Sequence, residues 1–130
     1  MSDWTHYSVD GDRDYWSVST NRSNSDTKRW HVSQHEWEGS DALESPFIKL
    51  NNKSCKRLSF YQWYQVDDCA NETFDPDGGV VEISNDGTSW DRIFPIDGYK
   101  SLLDVVCGNP LELDSAFAHQ NGAFLPSFFD

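Results

Sequence analysis

The sequence predicts an all-β chain, a β-sandwich of two antiparallel sheets, and three observations predict it. The 130 residues hold one Met and few Ala, while Ser, Thr, Asn, Asp and Gly abound, a mix that favours strands joined by polar loops over helices. No stretch carries an apolar period that would build a helix of useful length. Two β-prone runs, Gly79 to Ser84 and Trp90 to Phe94, flank the turn Asn85-Asp86-Gly87-Thr88-Ser89, which is the strongest local signal in the chain.

From Trp4 to Glu44 the chain is polar, interrupted by single aromatics at Tyr7, Tyr15, Trp16, Trp30 and Trp37. Ser17 to Ser19 and Trp30 to Ser33 read as short strands, with a loop from Asn21 to Thr27 between them. Ser45-Pro46 breaks the chain ahead of Phe47-Ile48-Lys49-Leu50, a short strand with Phe47 on one face and Ile48 on the other. The clearest strand is Leu58 to Val66. Leu58, Phe60, Tyr64 and Val66 share one face, and Tyr61 and Trp63 the other, so it reads as a central strand covered on both sides. An acidic loop, Asp67 to Asp77, leads into the hairpin. Pro95 to Asp114 is a long connection with a helical turn around Leu102 to Val106, and Ala116 to Phe129 supplies a last strand.

The length fits one domain over 1–130. Aromatics make up 15% of the chain, with six Trp, eight Phe and five Tyr, so rings rather than Leu and Ile fill much of the core. The formal net charge is −12, from 22 acidic and 10 basic residues. A field of that sign repels phosphate backbones and anionic lipid, which argues against nucleic acid and membrane surfaces as partners; it equally serves solubility. No apolar run approaches the length of a membrane span. The start, Met1-Ser2-Asp3-Trp4, has neither a basic nor an apolar leader region, so either the protein is cytoplasmic or Met1 opens an excised piece. The sequons at Asn21, Asn52 and Asn71 are compatible with secretion.

Leu58-Ser59-Phe60-Tyr61-Gln62-Trp63-Tyr64, Asp77-Gly78-Gly79-Val80-Val81-Glu82-Ile83-Ser84 and Asn85-Asp86-Gly87-Thr88-Ser89-Trp90 form a recognisable run. It resembles the MAM-like jelly-roll module attached to secreted bacterial metallopeptidases of the immune inhibitor A type. Ile96 to Tyr99 and Gly108 to Leu111 are similar to that module's long connection. Trp16, Trp30, Leu43 to Pro46 and Ile48 to Leu50 fit its opening strands. The module continues with one or two further strands, so the resemblance implies a copy lacking its last strands. It also implies an accessory role beside a catalytic domain, in contact with protein or carbohydrate, sometimes with structural calcium.

Motifs for catalysis are missing from the sequence: no Gly-x-Ser-x-Gly, no phosphate-cradling Gly-rich loop with Lys, no Cys-x-x-Cys. The chain is therefore read as no enzyme, and hydrolysis by paired acidic-loop carboxylates is the outlying alternative. His31 and His35 lie four apart beside Glu36, without the His-Glu-x-x-His order of a zinc helix and without a third ligand. Asp67, Asp68, Asp75 and Asp77, with Glu72, crowd one loop, and calcium is the cation such oxygens would hold; a solvated loop is the plain alternative.

The cysteines are placed by strand length. An extended Leu58–Val66 spans about 26 Å at about 3.3 Å per residue. Cys55 and Cys69 then sit at opposite ends of it, beyond the roughly 7 Å Cα separation of a disulfide. The acidic loop and the connection after Phe94 emerge at one end, which makes Cys69 and Cys107 the favoured pair. Three reduced thiols fit the odd count equally well. Trp30, Trp37, Tyr61 and Trp63 are candidates for stacking on sugars, against core packing.

The expectation is a non-catalytic extracellular module of a larger secreted protein. It contacts protein, or stabilises a neighbouring catalytic domain. The alternative is a carbohydrate-binding module that holds polysaccharide on exposed Trp and Tyr.

Overall fold

The computed structural model describes residues 3–11, 13–24, 28–33, 39–51, 56–66, 77–103, 114–118 and 121–130. Those residues are all-β and antiparallel throughout, as predicted, with no helix among them. Among the described residues, ten strands pair into five two-stranded sheets rather than two continuous ones. Two compact units divide the chain, Met1–Lys53 and Ser54–Asp130.

In the first unit, β1 (Thr5–Asp10) pairs with β4 (Ser40–Glu44), and β2 (Trp16–Ser19) with β3 (Arg29–Val32). The β2–β3 hairpin matches the two strands expected there. The β1–β4 pair does not stand out in sequence, because only Tyr7 and Val9 are large and apolar in Thr5–Asp10 and Ser40–Glu44 holds no β-branched residue. Its register slips between Ser8 and Asp10, a bulge that lets the chain bend. Gly39 belongs there, since a Cβ at that position would lie 2.9 Å from the Asp10 carbonyl oxygen. The Asp41 carboxylate accepts the Tyr15 N–H at 3.1 Å and ties the two sheets of this unit together.

Phe47 to Leu50 is not a strand, contrary to the alternation read there. Pro46 has no N–H to offer a ladder, and Phe47, Ile48 and Leu50 are all open to solvent.

In the second unit, β5 (Leu58–Gln62) pairs with β10 (Leu125–Phe129), β6 (Val81–Ile83) with β7 (Asp91–Ile93), and β8 (Ser101–Leu102) with β9 (Ser115–Ala116). The strand expected over 58–66 ends at Gln62. Beyond it, Asn121 takes the place of a neighbouring strand: its side-chain amide donates to the Gln62 carbonyl at 3.1 Å and accepts the Tyr64 N–H at 3.2 Å. β5 is not covered on both sides either, because Tyr61 stands open. Ser101–Leu102 is strand where a helical turn was expected; 104–106 lie outside the described residues. The segment read as one last strand forms two, β9 and β10.

The hairpin is clamped from outside. The Tyr99 hydroxyl accepts the Val81 N–H at 3.0 Å and donates to the Ile93 carbonyl at 2.8 Å, bridging two residues that face each other across β6–β7. In the turn, the Asp86 carboxylate accepts the Thr88 and Ser89 N–H groups at 2.8 Å each and the Ser84 hydroxyl at 3.0 Å. These bonds hold its pKa far below the ordinary carboxylate value.

Leu103, Ala116 and Ala118 form the buried cluster, with Val66 and Val80 packed on it. Gly78 is there for space. A Cβ on Gly78 would meet Leu103 Cδ2 at 2.7 Å and Ala116 Cβ at 3.0 Å, while Gly79 exchanges two 2.9 Å backbone bonds with Phe117.

Candidate functional site

Alternation along β5 and β10 sorts their side chains onto two faces. The register pairs Leu58 with Phe129, Phe60 with Ser127 and Gln62 with Leu125; between these lie Ser59 opposite Phe128 and Tyr61 opposite Pro126. Inward, Phe60 stacks on Phe129 with ring centroids 5.6 Å apart, and Phe129, only 2% exposed, meets the Phe117 ring edge-on at 6.5 Å. Gln62 Nε2 donates to Ser127 Oγ at 2.7 Å. That face anchors the pair.

The outer face is a different surface. Tyr61 is 58% exposed and Phe128 41% exposed, diagonal neighbours across the two strands with Pro126 beside them. Pro126 offers no N–H, as suits an edge strand. At one end the Arg57 guanidinium carbon lies 6.0 Å from the centre of the Phe128 ring. The same guanidinium holds Asp130 in a two-pronged bond, Nε to Oδ1 at 2.6 Å and Nη2 to Oδ2 at 3.2 Å. This bond raises the Arg57 pKa and lowers that of Asp130, so both stay charged across the working pH range. The outcome is an apolar aromatic centre with an ordered, charge-balanced pair at its rim. It offers stacking area, donors and acceptors.

Of the aromatics singled out in sequence, Tyr61 lies on this face. Trp63 is half-buried, because the chain leaves the strand after Gln62. Trp30 belongs to the first unit, packed at 5.4 Å from His6 and 6.5 Å from Trp4, with its indole N–H buried and without a partner among the described residues. Its ring is half-buried there. Trp37 lies outside the described residues.

Asp77 is exposed; Asp67, Asp68 and Asp75 lie outside the described residues, as do Glu72, His35 and Cys55, Cys69 and Cys107. His31 is half-buried, and desolvation, then the Arg29 charge, lower its pKa. Among the described residues no group of three His, Cys, Asp or Glu side chains is placed to hold a metal, and no helix is long and apolar enough to cross a membrane. Arg57, Phe128 and Asp130 were not read as site residues. What joins them to Tyr61 is the register of two strands far apart in the chain, and the sequence signals only that each strand is amphipathic.

The chain matches no family model, no curated protein and no solved structure. The functional reading therefore rests on the geometry of this face.

Proposed function

We propose that the chain is a non-catalytic, extracellular accessory module that contacts a protein partner through the outer face of β5–β10. The observation that carries this is the exposed Tyr61–Phe128 centre rimmed by the Arg57–Asp130 pair. Tyr and Arg are the residue types that dominate protein interface energetics, and a desolvated aromatic centre inside a polar rim is the usual anatomy of such a contact. In the first unit, taken by itself, exposed Phe47, Ile48 and Leu50 are apolar surface of the kind that a partner covers. Asn21, in an exposed turn, leaves its sequon accessible in an exported chain.

The test is site-specific photocrosslinking in the secreted parent protein, with a benzophenone side chain at position 61 and a control at the exposed Asp91 on β7. A protein adduct from position 61 that is missing from the control is the expected result. The exposed Tyr61 ring is also a stacking surface for a sugar, which favours polysaccharide as the second reading. Fluorescence quenching by soluble polysaccharide, lost in Tyr61→Ala and unaccompanied by a protein adduct, would move the face to that class and overturn the protein reading.

A further inference from the structure

The turn before β10 carries chemistry of its own. Asn121 is half-buried, and its amide lies across the end of β5 through the Gln62 and Tyr64 bonds described above. Its backbone N–H adds a third bond, to the Tyr64 carbonyl at 3.3 Å. Gly122 follows, exposed, with φ +68° and open space where a Cβ would stand. The Gly122 N–H makes no hydrogen bond among the described residues, while Ala123 N–H closes the turn on the Asn121 carbonyl at 2.8 Å. Asn121-Gly122 is the only Asn-Gly pair in the sequence.

We propose that Asn121 is a self-modification site, converted to a carboxylate by attack of the Gly122 backbone nitrogen on its own amide carbon. The attacking nitrogen gives its proton to hydroxide and forms the N–Cγ bond of a five-membered ring. Negative charge develops on Oδ1, which already accepts the Tyr64 N–H, so the donor stands where the charge arises. Nδ2 takes a proton from water and leaves as ammonia. A water molecule then opens the ring. Cleavage of the N–Cγ bond yields Asp, and cleavage of the bond from the backbone carbonyl carbon to nitrogen yields isoaspartate. One water enters, one ammonia leaves, and nothing is oxidised.

Glycine makes the site reactive, because no side chain shields the nucleophile and its backbone is free to approach. Asn21 and Asn85 precede Arg22 and Asp86, whose side chains crowd the same approach. The product alters the fold at one point. A carboxylate has no donor for the Gln62 carbonyl and sets a negative charge against it, and isoaspartate also lengthens the backbone. The end of β5 is released by an irreversible step that needs no enzyme.

The experiment is ageing of the folded chain in mildly alkaline buffer, with peptide mapping by mass spectrometry over time. Asn121 is expected to convert ahead of Asn21 and Asn85, giving Asp and isoaspartate. Urea unfolding of the aged protein should then give an unfolding constant roughly fivefold larger or more, the ratio set by the one lost net hydrogen bond to the Gln62 carbonyl. Asn121→Asp should show that loss of stability without ageing, and Asn121→Gln, which closes no five-membered ring, should not convert. An Asn121 that stays intact in the folded chain while urea-unfolded chain converts would overturn the proposal. So would a converted protein whose urea unfolding constant is unchanged.

Discussion

The clamp at Tyr99 gives the sharpest test of how the second unit is held. Tyr99→Phe removes one oxygen and leaves the ring, so the edge contacts with Phe117 at 4.8 Å and Phe94 at 5.5 Å survive. Two bonds go at once, the 3.0 Å bond from the Val81 N–H and the 2.8 Å bond to the Ile93 carbonyl. Each net bond contributes about 1 kcal/mol, and the two stranded backbone groups are partly buried, so the loss should come to about 2 kcal/mol. In a unit of this size that lowers the melting temperature by about ten degrees. Urea unfolding followed by circular dichroism measures it, with an unchanged m-value as the sign that only stability moved. The same variant carries a second readout. Burial raises the Tyr99 pKa above 10.0, so the unfolded chain ionises first. The stability due to the neutral hydroxyl is present below that pH and is lost as pH climbs through the folded value. Tyr99→Phe should flatten that alkaline slope. A loss under about 0.5 kcal/mol with the slope intact would refute the clamp, since surface substitutions alone reach that size.

Gly78→Ala should destabilise by about 1–3 kcal/mol, because the new methyl must displace Leu103 and Ala116 in the core; a melt equal to that of the parent chain would contradict the packing at this glycine. Phe129→Ala and Phe128→Ala should part company, the first costing about 3–5 kcal/mol and the second under about 1 kcal/mol, as denaturant midpoints would show. Burial pushes the Asp14 carboxyl up, but the Trp16 N–H and then His6 draw it further down, to a net value below 3.8. Its contribution is therefore present above that pH and is lost as pH falls through the folded value, so Asp14→Asn should remove part of the acid-side slope in a pH series of melts.

Local chemistry was legible in the sequence and long-range pairing was not. The β6–β7 hairpin announced itself because Asn85-Asp86-Gly87 both turns the chain and satisfies its own carboxylate, and all of that happens within a few residues. β2 and β3 were legible for the same reason. β5 was legible as a strand but not in extent, since what stops it at Gln62 is the amide of Asn121, a group whose arrival no local pattern announces. The short apolar run Phe47-Ile48-Lys49-Leu50 misled, because such a run forms a strand only when another strand takes up its backbone groups, and Pro46 opens this segment.

The candidate face shows why function is harder to read than fold. Tyr61 and Trp63 share a strand face on period-two counting, yet β5 ends at Gln62, between them, and leaves Tyr61 exposed and Trp63 half-buried. Phe128 and Phe129 are identical in sequence terms, adjacent and equally apolar. Only the pairing of Phe128 with Ser59 and of Phe129 with Leu58 decides which is surface and which is anchor. Arg57 gains its role in the same way, through Asp130 and Phe128 brought to it by β10 rather than through its neighbours in the chain. A surface assembled by register is encoded in the alternation of both strands together, so substitutions that shift β10 by one residue would turn Phe129 outward. They would bury Phe128 and abolish the face without touching Tyr61.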